Sequence, residues 1–178
     1  MKNIKIIILL FIILSCATKT PKETKIEKKI ITIGCLSLVI PDNMEESPED
    51  AKQYRYKILL VDKDKKYYSS SIMIAIREKK NTFNESLSEF AEVDQDYLQN
   101  SVSMIYEDDW VPAGFKEKKI NHISYQFKYT YGYEIIYQRS VYLECCGYFY
   151  IISLSSVYKK NILNEKNDSF WKNINISP

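Results

Sequence analysis

Apolar and polar positions change rhythm several times along this chain of 178 residues, and each change predicts an element. Ile31 to Ile40 is apolar and β-branched enough to read as one strand. Pro41 ends it, because its fixed φ and missing N–H stop a ladder, and Asp42 and Asn43 supply turn chemistry behind it. Tyr54 to Asp62 and Tyr67 to Arg77 read as further strands, with the short charged link Asp62 to Lys66 predicting an antiparallel hairpin. A helical period follows. Phe83, Leu87, Phe90, Tyr97, Leu98, Ser101, Val102 and Ile105 recur at steps of three and four, which predicts one amphipathic helix over residues 82 to 104, opened by a Thr82 and Glu85 capping box. Glu85, Glu89, Glu92, Gln95, Asp96 and Gln99 then form its solvated face.

The period returns to two beyond residue 114. Phe115 to Ile120, Ile123 to Tyr131, Tyr133 to Glu144 and Tyr148 to Ser155 predict a four-strand meander, reversed at Asn121-His122, Gly132 and Cys146-Gly147. Ile123, Tyr125, Phe127, Tyr129 and Tyr131 alternate with Ser124, Gln126, Lys128 and Thr130, so one face is buried and the other partly wet. Tyr158 to Ile176 carries Ile162, Leu163, Phe170, Trp171 and Ile174 at helical steps, predicting a closing helix that its Asn and Asp residues weaken.

The apolar run Ile6 to Leu14 stands apart from this pattern. A transmembrane helix needs about 20 apolar residues. This run is shorter and follows Lys2 and Lys5, the build of a secretory leader. Ile13-Leu14-Ser15-Cys16 resembles the lipobox of bacterial lipoproteins, which implies cleavage before Cys16 and acylation of that cysteine. Buried acyl methylenes, at about 0.8 kcal/mol each, would then hold the chain on a bilayer. Ala17 behind the cysteine resembles the outer-membrane sorting pattern of enterobacterial lipoproteins. Residues 17 to 29 hold Lys19, Lys22, Lys25, Lys28 and Lys29 against Glu23 and Glu27, a composition for a flexible basic tether. The expected organisation is a signal peptide over 1–15, a lipidated cysteine and tether over 16–29, and one domain over 30–178.

Charge and chemistry narrow the function classes. Basic and acidic residues number 25 and 23, so no electrostatic case for nucleic-acid binding exists. Asp42, Glu45, Glu46, Glu49 and Asp50 lack the glycine and ligand alternation of a calcium loop and read as a solvated loop. His122 is the single histidine, placed in a hairpin turn, and leaves no histidine-rich metal set. No G-x-S-x-G elbow, P-loop or G-x-G-x-x-G occurs, and no cofactor is implied. Of the fifteen tyrosines, eight crowd the meander and are expected mostly as cross-strand packing, with an exposed tyrosine face suited to a partner.

Several short motifs, in their order, resemble one family across residues 31 to 176. Leu36-Ser37-Leu38-Val39-Ile40-Pro41 is similar to the F-S-[IL]-x-[IYV]-P opening of the PsbP-like superfamily, particularly its DcrB-type envelope lipoproteins. Gly147-Tyr148-Phe149-Tyr150-Ile151-Ile152-Ser153 resembles that family's G-x-x-Y-x-[IL]-[TS] strand. The resemblance implies an α+β domain: an antiparallel sheet of six to seven strands with one long central helix and a C-terminal helix packed on it.

An exported compartment permits disulfides, so Cys35 is expected either to bridge to Cys145 or Cys146 or to pack, with them, as small buried apolar residues. The reading is a lipid-anchored envelope protein, a non-catalytic binding or assembly factor whose partners are the membrane and an envelope protein or small ligand. Two alternatives stand beside it: an envelope hydrolase or thiol enzyme using His122 or the Cys145/Cys146 pair, and a purely structural envelope lipoprotein.

Overall fold

Gly34 divides the predicted first strand in two. With φ at 55° it opens a two-residue turn with Cys35, so Ile30–Ile33 (β1) folds back on Leu36–Val39 (β2) with Ile33 opposite Leu36. A side chain would resist that left-handed backbone, and glycine does not. The remaining elements are β3 (Met44–Glu46), α1 (Pro48–Gln53), β4 (Ile58–Asp62), β5 (Met73–Lys80), α2 (Leu87–Ser101), β6 (Ile105–Tyr106), β7 (His122–Tyr131), β8 (Glu134–Cys145), β9 (Tyr148–Ser156), α3 (Lys159–Ile162), α4 (Glu165–Lys172) and β10 (Asn175–Ile176). This computed structural model describes residues 28–63, 65, 71–107 and 109–177. The predicted leader, Cys16, most of the predicted tether, part of the predicted Asp62 to Lys66 link and the first residues of the predicted Tyr67 to Arg77 strand lie outside them, and the described strand begins at Met73.

Among the described residues the chain forms two antiparallel sheets, a seven-stranded one in the order β3-β4-β5-β9-β8-β7-β6 and a three-stranded one in the order β1-β2-β10. Side chains alternate across a strand, and here both faces of the large sheet are covered. Val141, Leu143, Tyr150, Ile152 and Leu154 face the small sheet and the C-terminal helix, packing with Leu36, Leu38, Phe170 and Trp171. Tyr142, Phe149 and Ile151 point the other way and meet Leu87, Phe90 and Ala91 of α2. Leu59 and Val61 of β4 meet Ala51 of α1 on that second side. The α+β single domain with an antiparallel sheet, a long helix and a C-terminal helix is thus observed.

Several boundaries move. The acidic cluster is not one loop, since Met44–Glu46 pairs with β4 and Pro48–Gln53 is helical, which also delays the next strand to Ile58. The long helix starts at Leu87, capped by Ser86, whose hydroxyl accepts from the Glu89 N–H while the Glu89 carboxylate takes the Ser86 N–H. Phe115 to Ile120 is a turn, not a strand: Phe115 is buried and Lys118 Nζ donates to the carbonyls of Lys172 and Ile174. The closing helix is broken into α3 and α4 before the chain returns as β10 along β2. No helix among the described residues is long and apolar enough to cross a membrane.

Candidate functional site

The Pro41 stop places a turn beside the C-terminal helices. The Met44 N–H donates to the Pro41 carbonyl at 2.9 Å, and this holds Asp42 and Asn43 at the corner. Across from it, Asp62 accepts from the Ser71 N–H and hydroxyl, both at 2.7 Å, and closes the ends of β4 and β5. Asn161 Nδ2 donates to the Ser71 carbonyl at 3.1 Å and to the Ser156 hydroxyl at 3.2 Å, which fixes α3 to the same place.

These three pieces enclose a cleft of about 760 Å³. Its apolar lining includes Ile40, Met44, Ile72 and Phe170. Its polar lining is dominated by amides: Asn43, Asn161, Asn164, Asn167 and Asn173, with Ser71 and Ser169 between them. Its charged lining is Lys28, Asp42 and Asp62, and Asp62 is paired with Lys65 at 3.6 Å. Neither histidine nor cysteine lines it. Amides and hydroxyls both donate and accept, so the arrangement suits a neutral ligand rich in hydroxyl and amide groups.

In the sequence these asparagines only weaken a helix. Asn161 lies on α3, Asn164 in the break behind it and Asn167 on α4. What no local pattern shows is that Pro41, Ser71 and this stretch converge.

The residues singled out in the sequence lie elsewhere. Cys35, in the β1–β2 turn, and Cys145, at the end of β8, have Cα atoms 6.3 Å apart, within disulfide reach, and their sulfurs are joined. Cys146 is exposed and free, in a two-residue turn with Gly147 in which both have positive φ. His122 is not a solvated turn residue. It opens β7, half-buried, with Nδ1 2.8 Å from the Ile120 carbonyl and its ring edge-on to Phe115, so its observed partners supply neither an acid nor a thiol. No group of three or more His, Cys, Asp or Glu among the described residues is placed to hold a metal.

The tyrosines separate into classes. Tyr142 and Tyr150 are fully buried, while Tyr131 and Tyr133 stand out from the β7–β8 tip. Burial, and then the Asp94 carboxylate that the hydroxyl bonds at 2.7 Å, push the Tyr142 pKa far up. Burial pushes Tyr129 and Tyr150 to about 12, with Glu78 adding to the effect at Tyr150. All three stay neutral well beyond physiological pH.

No protein-family model matches the chain, and no curated protein does. Solved structures do share its fold. The cyanobacterial PsbP protein CyanoP from Synechocystis sp. PCC 6803 is similar with a TM-score of 0.59 at 6% identity, over 87% of this chain and 96% of that one. LpqN of Mycobacterium tuberculosis, described as involved in cell envelope biogenesis, is similar with a TM-score of 0.60 at 12% identity, over 85% and 91%. PA94 of Pseudomonas aeruginosa gives 0.51 at 9% identity, over 85% and 99%. The chain therefore has a PsbP-like fold.

Proposed function

We propose that this is a lipid-anchored cell-envelope protein that performs no chemistry of its own and binds a neutral envelope component, of glycan or glycopeptide type, in the asparagine-lined cleft. The anchor is Cys16, and the tether behind it delivers the domain to the bilayer. The observation that carries the binding reading is the cleft itself: five asparagines and two serines beside a floor of Ile40, Met44, Ile72 and Phe170. Such a lining matches sugar hydroxyls and acetamido groups through paired donors and acceptors, with the apolar floor against the ring faces. The likeness to LpqN is one of fold, and an envelope setting agrees with it.

The test is titration of the purified chain with soluble, uncharged N-acetylglucosamine oligosaccharides, followed by NMR chemical shifts. Saturable shifts are expected around Asn43 and Asn164, and Asn43→Ala should weaken binding about tenfold, equivalent to about 1.4 kcal/mol. Phe83→Ala, outside the cleft, should leave it unchanged. Absence of saturable binding in the parent chain would end this reading.

A further inference from the structure

The β7–β8 tip is an anomaly for a surface turn. From Tyr129 to Tyr137 the sequence carries a single charge, Glu134, and Tyr131, Tyr133 and Ile135 are exposed by 70%, 107% and 50%. Gly132 and Tyr133 make the reversal, since Tyr131 pairs with Glu134. Nothing in the fold asks for three large apolar side chains there, because they pack on no core.

Register shows which end of the molecule this is. Tyr137 pairs with Ser156, so the tip projects past the end of β9 by three residues, about 10 Å. The Ser156 hydroxyl donates to the Ser71 carbonyl, and Ser71 lines the cleft together with Lys28, the first described residue. Tyr158, 54% exposed, and Lys160, whose Nζ is 5.9 Å from the Tyr158 ring centre, lie just beyond Ser156. The chain thus enters the domain at the end that presents the aromatic tip. The opposite end is about 26 Å away along β9, where Tyr148 pairs with Lys80 and the Asn81 N–H donates to the Gly147 carbonyl.

We infer that this end is a bilayer-contact face, with Tyr131, Tyr133 and Ile135 seated at the boundary between lipid headgroups and acyl chains. The inference rests on the lipid-anchor reading above. Eleven residues separate Cys16 from Lys28, so the entry point lies within about 40 Å of the acylated residue even at full extension. Aromatic side chains with an apolar body and a polar hydroxyl favour that boundary, and Lys28 at the cleft and Lys160 beside Tyr158 suit anionic headgroups. Val93 and Tyr97, an exposed apolar pair on α2, are flanked by Glu89, Glu92 and Asp96, which an anionic surface repels. A second consequence is that the cleft opens close to the membrane surface.

The experiment uses the full acylated chain reconstituted into vesicles of phosphatidylethanolamine and phosphatidylglycerol, with or without brominated acyl chains. Tyr133→Trp probes the tip, and Phe83→Trp, 80% exposed beside Asn81, probes the opposite end. Bromolipid is expected to quench the added emission of Tyr133→Trp at least twofold, over the background of Trp110 and Trp171, and to leave that of Phe83→Trp unchanged. Flotation is measured first. If the chain floats with its vesicles but Tyr133→Trp is unquenched, or both positions are quenched alike, the anchor stands and the contact face is overturned. A chain that fails to float removes the anchor and this inference with it. Emission shifted without bromine quenching, in a species of twice the mass, would make the tip a self-association surface and also overturn the inference.

Discussion

At Gly34 a Cβ would lie 2.6 Å from the Tyr150 hydroxyl, and the backbone φ of 55° already disfavours any side chain. Tyr150 is fully buried, so its ring cannot swing aside. Gly34→Ala should therefore cost about 2 kcal/mol or more, from the left-handed backbone and the clash together. Chemical denaturation checks it. Gly34→Ala combined with Tyr150→Phe should recover the part due to the clash, and a double variant losing the full sum of both single losses would show that the hydroxyl is no obstacle. Glycine at 34 was visible in the sequence, but the apolar run on both sides of it masked a hairpin as a single strand. Its true constraint, a tyrosine more than a hundred residues away, has no local trace.

Helix α2 shows how an element can be legible while its cap and its buried side are not. The Thr82 and Glu85 pattern fits a capping box, yet the Ser86 and Glu89 pair four residues on forms it, and Asn81 instead holds the Glu85 N–H at 3.0 Å and carbonyl at 2.9 Å. Ser86→Ala should lower stability by about 1 kcal/mol, whereas Thr82→Ala should stay within about 0.5 kcal/mol in the same thermal unfolding assay. The opposite ranking would place the cap where the spacing alone suggested. The helix also turns differently from the apolar count. Tyr97 is 67% exposed, while Gln95 is buried, because Arg77 forks onto Asp94 with two bonds of 2.8 Å and Tyr142 donates to the same carboxylate. Three charge-assisted bonds from the sheet draw the Asp94 and Gln95 side inward, and hydrophobic periodicity does not record such bonds.

For the whole molecule, the link between Cys35 and Cys145 ties the small sheet to the end of the large one and closes a loop of 110 residues. In the chain-entropy model such a closure stabilises by about 4 to 5 kcal/mol. Cys35→Ser is expected to lose most of that in denaturant unfolding under oxidising conditions, and Cys146→Ser to lose little. Equal large losses from Cys35→Ser and Cys146→Ser, with little from Cys145→Ser, would assign the bond to Cys146 instead. The same long-range arrangement brings Lys28, the cleft and the aromatic tip to one end, so on the readings proposed above a ligand in the cleft and a bilayer at the tip would be neighbours.

The α+β class, the three long strands β7 to β9 and the existence of a long helix follow from the sequence alone, because each depends on a period or spacing within a few residues of itself. The split of the first strand, the choice of Cys145 over Cys146, the inward side of α2 and the meeting of Asn43, Ser71 and Asn161 were decided only by tertiary structure. Those depend on which distant segments share a sheet edge or a face, and packing free energy between remote side chains, which leaves no repeat in the chain, selects among the alternatives that local preference leaves open.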